Sequence, residues 1–172
     1  MNDSIESLLD FFEEPMYWKK VLGRDGKEFL LPKLRTMVSG SDQMKTQLIQ
    51  SNGFDSLGKI HNDPRITYFG RFLRRNWIDE LPQFYSLSTG DLGLVGVRPK
   101  SSEEWKHYPQ EHMEQALRYK PGLFGVHYYD ISLSHFENES RYLGEKAKNH
   151  DVDRKYFLGI VYNIIFKGVR SR

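Results

Sequence analysis

Met16-Tyr17-Trp18-Lys19-Lys20-Val21, then Gly23-Arg24-Asp25-Gly26, then Glu28-Phe29-Leu30-Leu31 read as two apolar runs around an Asp-Gly turn. Asp-Gly supplies the positive φ that a tight hairpin turn requires, so the stretch predicts a β-hairpin over 16–31. The other periodic segments read as helices, and the hairpin makes the fold class α+β: a mostly helical single domain with a small sheet. Asp91 to Val97 is short, apolar and Gly-punctuated, and residues 92–97 are expected to extend that sheet.

Outward from the hairpin, Ser4 caps a short helix with Ile5, Leu8, Leu9 and Phe12 on one stripe and acidic residues opposite, stopped by Pro15. Residues 39–58 are rich in Ser, Gly, Asn and Asp and predict a loop with a short helix around 44–49. Thr67 caps a helix to about Asn76, with Arg71, Arg74 and Arg75 sharing the side away from Phe69, Phe72 and Leu73. Pro82 opens a second helix ending near Gly90. Helices are also expected over 103–119, stopped by Pro121-Gly122, and over 141–148 and 154–167.

The chain has 172 residues, 38% apolar and 28% charged, with a mean hydropathy of −0.64. This suits one modest globular domain and excludes a multi-span membrane protein and a wholly disordered chain. With no cysteine, disulfides, thiolate metal sites and a cysteine nucleophile are excluded. The longest run without a formal charge, Tyr156 to Phe166, is 11 residues, about 17 Å as a helix and too short to cross a bilayer.

Net charge is +2, unevenly spread. Residues 1–14 carry five carboxylates and no Lys or Arg, whereas residues 59–75 carry Lys59, Arg65, Arg71, Arg74 and Arg75 against Asp63. Such a basic cluster attracts phosphates or simply forms a solvated helix face. A nucleic-acid partner is not expected, because the pI of 8.7 is modest and no binding motif is present.

Shortly after those arginines stands Ile78-Asp79-Glu80-Leu81-Pro82-Gln83. Neighbours on a regular helix point about 100° apart and would not share a site. Pro82 pushes the preceding residue out of the α region, so Asp79 and Glu80 can project from an irregular turn. A carboxylate can attack phosphorus, a second can help hold Mg²⁺, and arginines offset phosphate charge. The alternative is an N-cap Asp with a first-turn Glu, both complementing a helix dipole.

Several blocks resemble the bacterial sugar transferase family, the monotopic phosphoglycosyl transferases. They are Lys33-Leu34-Arg35-Thr36-Met37, Asn62-Asp63-Pro64-Arg65-Ile66-Thr67, Gly70-Arg71-Phe72-Leu73-Arg74-Arg75, Asp79-Glu80-Leu81-Pro82-Gln83, Leu94-Val95-Gly96-Val97-Arg98-Pro99 and Lys120-Pro121-Gly122. The charge distribution sets off an acidic amphipathic segment over 1–15, and the resemblance implies a catalytic domain over 16–172. It implies transfer of a sugar 1-phosphate from a UDP-sugar to a polyprenyl (undecaprenyl) phosphate through a covalent aspartyl intermediate, opening glycan synthesis. Asp79 then corresponds to the nucleophile and Glu80 to the carboxylate associated with the Mg²⁺ cofactor. Lys33, Arg35, Arg65, Arg74, Arg75 and Arg98 correspond to basic positions toward phosphate. The implied location is the cytoplasmic face of the inner membrane, as a peripheral protein.

The sequence also departs from the pattern. An acidic piece stands where the family's apolar membrane helix should end. This implies either a natural soluble variant, cytoplasmic and with room for a membrane-anchored partner protein, or an N-terminal part outside this sequence. A non-catalytic relative that binds a nucleotide-sugar or a partner is the alternative. Val97 replaces a proline and is expected to loosen the turn that aims Arg98, and Gly125-Val126-His127-Tyr128-Tyr129 is unlike the family's segment there. The six histidines, His61, His107, His112, His127, His135 and His150, show no zinc spacing and read as surface or packing residues. Tyr17, Trp18, Trp77, Trp105, Tyr128 and Tyr129 read as core in preference to an interfacial belt.

Overall fold

The computed structural model describes residues 11–41, 43–44, 63–149 and 151–169. The helix expected from Ser4 lies outside these residues except for its end at 11–13, as do most of the 39–58 loop, His61 and His150. The elements are β1 (Met16–Leu22), β2 (Glu28–Leu34), α1 (Tyr68–Arg75), α2 (Gln83–Ser88), β3 (Gly93–Gly96), α3 (Ser102–Trp105), α4 (Gln110–Leu117), β4 (Gly122–Gly125), α5 (His135–Lys148) and α6 (Val152–Phe166). The class is α+β. The chain forms two compact units: the first takes its described residues from 11–17 and 33–81, the second comprises Trp18–Pro32 and Pro82–Val169.

The hairpin forms as expected. Asp25 and Gly26 have φ of 59° and 73°, and the Lys27 N–H donates to the Arg24 carbonyl at 3.2 Å. Two left-handed central residues make this a type I′ turn, whose twist matches the flanking strands. β3, however, does not extend this sheet. It pairs in parallel with β4, Val95 opposite Phe124 and Gly96 opposite Gly125, so the described residues form two separate two-stranded sheets. The sequence hides β4 behind the Pro121-Gly122 helix stop. A Cβ on Gly122 would fall 2.0 Å from the Gly96 nitrogen, so only glycine permits this approach.

The helix expected over 103–119 is broken into α3 and α4. Pro109, at φ −55° and ψ 139°, stands between them; it has no N–H to give and drives the residue before it out of the α region. α5 begins six residues before the expected Arg141. Ser134 accepts from the Glu137 N–H, and the Glu137 side chain accepts from the Ser134 N–H. That Ser-x-x-Glu capping box is readable in the sequence, although apolar spacing alone does not reveal it.

In the second unit, Val95, Val97, Trp105, Ala116, Val126, Tyr142, Leu143, Val152, Tyr156 and Ile160 form the main core. Val97 is buried there and its carbonyl accepts the Gly122 N–H at 2.9 Å. The segment before Arg98 is therefore held by packing, contrary to the expected loosening. Of the aromatics expected in the core, Trp105 is buried, but Trp18 is 50% exposed. Tyr17 beside it, also expected in the core, is 38% exposed.

A buried ionic cluster crosses this core. Lys100 Nζ donates to both Glu139 carboxylate oxygens at 2.7 and 2.9 Å. His112 Nε2 lies 3.1 Å from Glu139 Oε2, and the Lys100 ammonium sits 4.6 Å from the ring centres of both Trp105 and Tyr108. Burial drives Lys100 below the ordinary lysine range despite Glu139. Burial alone would raise Glu139, but bonds from His112 and Lys100 bring its carboxyl below the usual range. His112 is thus more than a packing residue.

Candidate active site

The Asp79-Glu80 pair lies in the first unit. Thr67 starts α1 by accepting the Gly70 N–H at 2.9 Å. After the C-cap residue Asn76, Trp77 adopts a left-handed conformation, φ 56° and ψ 13°. Helix ends commonly take this conformation, usually with glycine; a side chain there costs about 1–2 kcal/mol. The chain then makes one 3₁₀ turn over Ile78–Glu80. The two carboxylates therefore occupy a tight irregular turn, but Pro82 is not its cause: Leu81 before it stays in the right-handed α region at φ −54° and ψ −38°, and the break comes from the left-handed Trp77.

Asp79 is buried and Glu80 half-buried. Lys33 Nζ reaches Glu80 Oε1 at 3.4 Å. Arg74, on the last turn of α1, is half-buried and donates from Nε to Thr36 Oγ1 at 2.8 Å. Burial pulls Arg74 below the usual arginine range. The negative charges of Asp79, Asp63 and Glu80 oppose that, and Arg65 reinforces it. Arg74 nonetheless stays charged at any ordinary pH. Lys33, Arg74, Asp79 and Glu80 are thus brought together: two carboxylates, one ammonium and one guanidinium.

The remaining predicted basic residues are placed otherwise. Arg65 holds Asp63 through two bonds of 2.8 and 2.6 Å and also reaches the Ser41 carbonyl at 3.1 Å. Arg35 is held by Glu14 at 2.7 Å. Arg71 and Arg75 are exposed, whereas Arg74 is half-buried and feels the charges of Asp79, Asp63 and Glu80. Arg98 lies in the second unit. A Cβ on Gly125 would meet Arg98 Cγ at 2.5 Å and His127 Cε1 at 2.4 Å, so a bare glycine lets these two side chains share one spot. Thr36, Asp63 and Trp77 also shape the site, although nothing in the sequence assigns them a role there. All three stand in or beside the quoted blocks, where charge draws attention to the basic members and the carboxylate pair.

The Arg65 bonds hold the Asp63 carboxyl below its ordinary value of 3.8, against the opposing effect of burial. A depressed carboxyl stabilises the fold above its unfolded pKa, and that contribution is lost as pH falls through the folded value. Melting temperatures of the wild type and Asp63→Asn are therefore expected to differ most above about pH 5 and to converge as pH falls through the lowered folded value. Parallel curves across that range would show that the pair does not contribute in this way.

The chain matches the bacterial sugar transferase family over residues 8–164. It belongs to that family. The bacterial sugar transferases similar to it include the galactosyl transferase CpsE of Streptococcus agalactiae serotype III (strain NEM316), 41% identical over 106 residues, 61% of this chain and 23% of that protein. The UDP-glucose:undecaprenyl-phosphate glucose-1-phosphate transferase of Escherichia coli (strain K12) is 33% identical over 157 residues, 85% of this chain and 31% of that protein. The exopolysaccharide production protein ExoY of Sinorhizobium fredii (strain NBRC 101917 / NGR234) is 33% identical over 115 residues, 64% of this chain and 50% of that protein. The chain thus spans about a quarter to a half of the length of these relatives. Among the described residues, no helix is long and apolar enough to cross a membrane.

Proposed function

We propose that this chain transfers a sugar 1-phosphate from a UDP-sugar to undecaprenyl phosphate, in two steps through Asp79. The observation that carries the reading is the meeting of Asp79 and Glu80 with Lys33 and Arg74 in one compact unit. An Asp79 oxygen attacks the sugar-bearing phosphorus; the bond to the bridging oxygen breaks and UMP leaves. An oxygen of the lipid phosphate then attacks the same phosphorus and releases the Asp79 carboxylate, with the sugar now on a lipid diphosphate. Arg74 and Lys33 offset the charge that spreads over the phosphate oxygens in each displacement. The two steps give ping-pong kinetics.

Mg²⁺ fits this donor set. Among the described residues no group of three or more His, Cys, Asp or Glu side chains is arranged to hold a metal. A pair of carboxylates is what Mg²⁺ uses when substrate phosphates complete its shell. Glu80 would hold it, with its carboxylate drawn from Lys33; when bound, the ion neutralises diphosphate charge.

Attachment to the cytoplasmic membrane face is supported by α6. It buries Val152, Tyr156, Ile160 and Asn163 and exposes Leu158, Tyr162, Ile165 and Phe166 along one stripe. An exposed apolar stripe followed by Lys167 suits an interfacial helix. No observation favours a binding-only protein.

The test is UMP release from UDP-galactose and UDP-glucose with Mg²⁺ and undecaprenyl phosphate in detergent. UMP and a lipid-linked sugar are expected from at least one donor, and both should vanish with EDTA. Binding without UMP release across the panel would reject the reading.

A further inference from the structure

The carboxylate pair explains why Arg74 is attracted to its place, but not what sets the orientation of its guanidinium. Arginine carries a long side chain with a planar head, and attraction to several carboxylates at once leaves that plane free to rotate. Here Nε is bonded to the Thr36 hydroxyl at 2.8 Å. A bond at Nε fixes the inner edge of the fork and leaves both terminal nitrogens to face an anion.

Thr36 is itself held rigidly. It is only 6% exposed. Its carbonyl accepts the Thr67 N–H at 3.0 Å. A Cβ on Gly70 would fall 2.1 Å from that carbonyl oxygen, so the Thr36 backbone lies directly on α1. Next to it, Met37 and Ile66 form an antiparallel bridge, and the Val38 N–H donates to the Arg65 carbonyl at 2.9 Å. The anchor of the hydroxyl is therefore the same helix that carries Arg74. Three residues upstream, Lys33 reaches Glu80. One short segment thus serves both cations at the site.

We propose that Thr36 is a positioning residue for phosphoryl transfer: its hydroxyl sets the plane of the Arg74 guanidinium beside Asp79 and Glu80. This rests on the transferase reading above. Thr36 touches no reacting atom; it acts through Arg74. A misoriented guanidinium would still attract the diphosphate by charge, so donor binding should change little. It would meet the transferring phosphoryl group poorly, so turnover should fall.

The experiment compares Thr36→Val, Thr36→Ser, Arg74→Ala and the double variant carrying both Thr36→Val and Arg74→Ala, by UMP release with the active UDP-sugar. Loss of a hydrogen bond to a charged group predicts a fall in kcat of about 10–100-fold for Thr36→Val, with KM for the donor changed less than about threefold. Thr36→Ser restores most of the rate because it keeps the oxygen. In the Arg74→Ala background the valine change has no further effect.

A second measurement is independent of turnover. The Arg74 Nε–H, labelled with ¹⁵N, should exchange slowly in the wild type and in Thr36→Ser, and rapidly in Thr36→Val. Equal kcat in the valine and serine variants, an undiminished valine effect without Arg74, or unchanged Nε–H exchange in a folded valine variant would overturn the proposal. A wild-type chain with no UMP release would overturn the transferase reading, and this one with it. An active wild type with any of the preceding results overturns this one alone.

Discussion

Asp79→Asn is expected to lower UMP release by at least about a thousandfold, as removal of a covalent nucleophile does elsewhere. The amide nitrogen's lone pair is delocalised and the side chain carries no charge, so neither of its atoms can displace UMP. The substitution keeps the shape of a buried side chain, and Arg74 still faces Glu80 and Asp63. The variant should therefore fold, which a melting curve checks. The sharper measurement omits the lipid. With UDP-sugar and Mg²⁺ alone, the wild-type chain should gain the mass of a sugar phosphate on the peptide containing residue 79, and the asparagine variant should gain none. A variant retaining more than about a tenth of the rate would contradict the assignment of Asp79, and an adduct mapped to another residue would transfer that role.

The second large effect concerns stability and does not depend on the reaction. Lys100→Met leaves the Glu139 carboxylate buried without its ammonium, and breaking a buried pair from one side costs about 3–5 kcal/mol. For a chain of this size that lowers Tm by roughly 6–20 °C. Glu139→Gln strands the Lys100 ammonium between Trp105 and Tyr108 and should cost a similar amount. The double variant removes both charges while the amide at 139 can still bond His112. It should recover at least half of the summed loss, because the cost of each single change is mainly the uncompensated partner. Strict additivity of the two losses would show that Lys100 and Glu139 are not coupled. The cluster joins the chain just after Arg98 to α5, so its loss is also expected to weaken whatever Arg98 binds.

Local signals were enough for the elements that local chemistry builds. Asp25-Gly26 carries its turn in its own φ preferences, and Thr67 carries the start of α1 in its hydroxyl. Elements that depend on partners were less legible. β4 is four residues whose strand character comes from lying against β3, and nothing in Gly122-Leu123-Phe124-Gly125 alone announces that partner. The Pro109 break and the Ser134 cap, in contrast, are local signals, but they lie in proline and hydroxyl chemistry and not in apolar spacing.

The α+β class, the family, and the adjacency of Asp79 and Glu80 before a proline were already written in the order of the residues, since each depends on near neighbours or on ordered blocks. Which cations stand at that pair was settled by the folded chain. Arg71, Arg74 and Arg75 share one helix, yet Arg71 and Arg75 are exposed while Arg74 is half-buried within the field of the carboxylates. Lys33 arrives from 47 positions away in the chain. Arg65 and Arg35, equally basic on paper, are held by Asp63 and Glu14. Charge is written in the sequence, but the direction a long flexible side chain takes is set by the packing and hydrogen bonds around it.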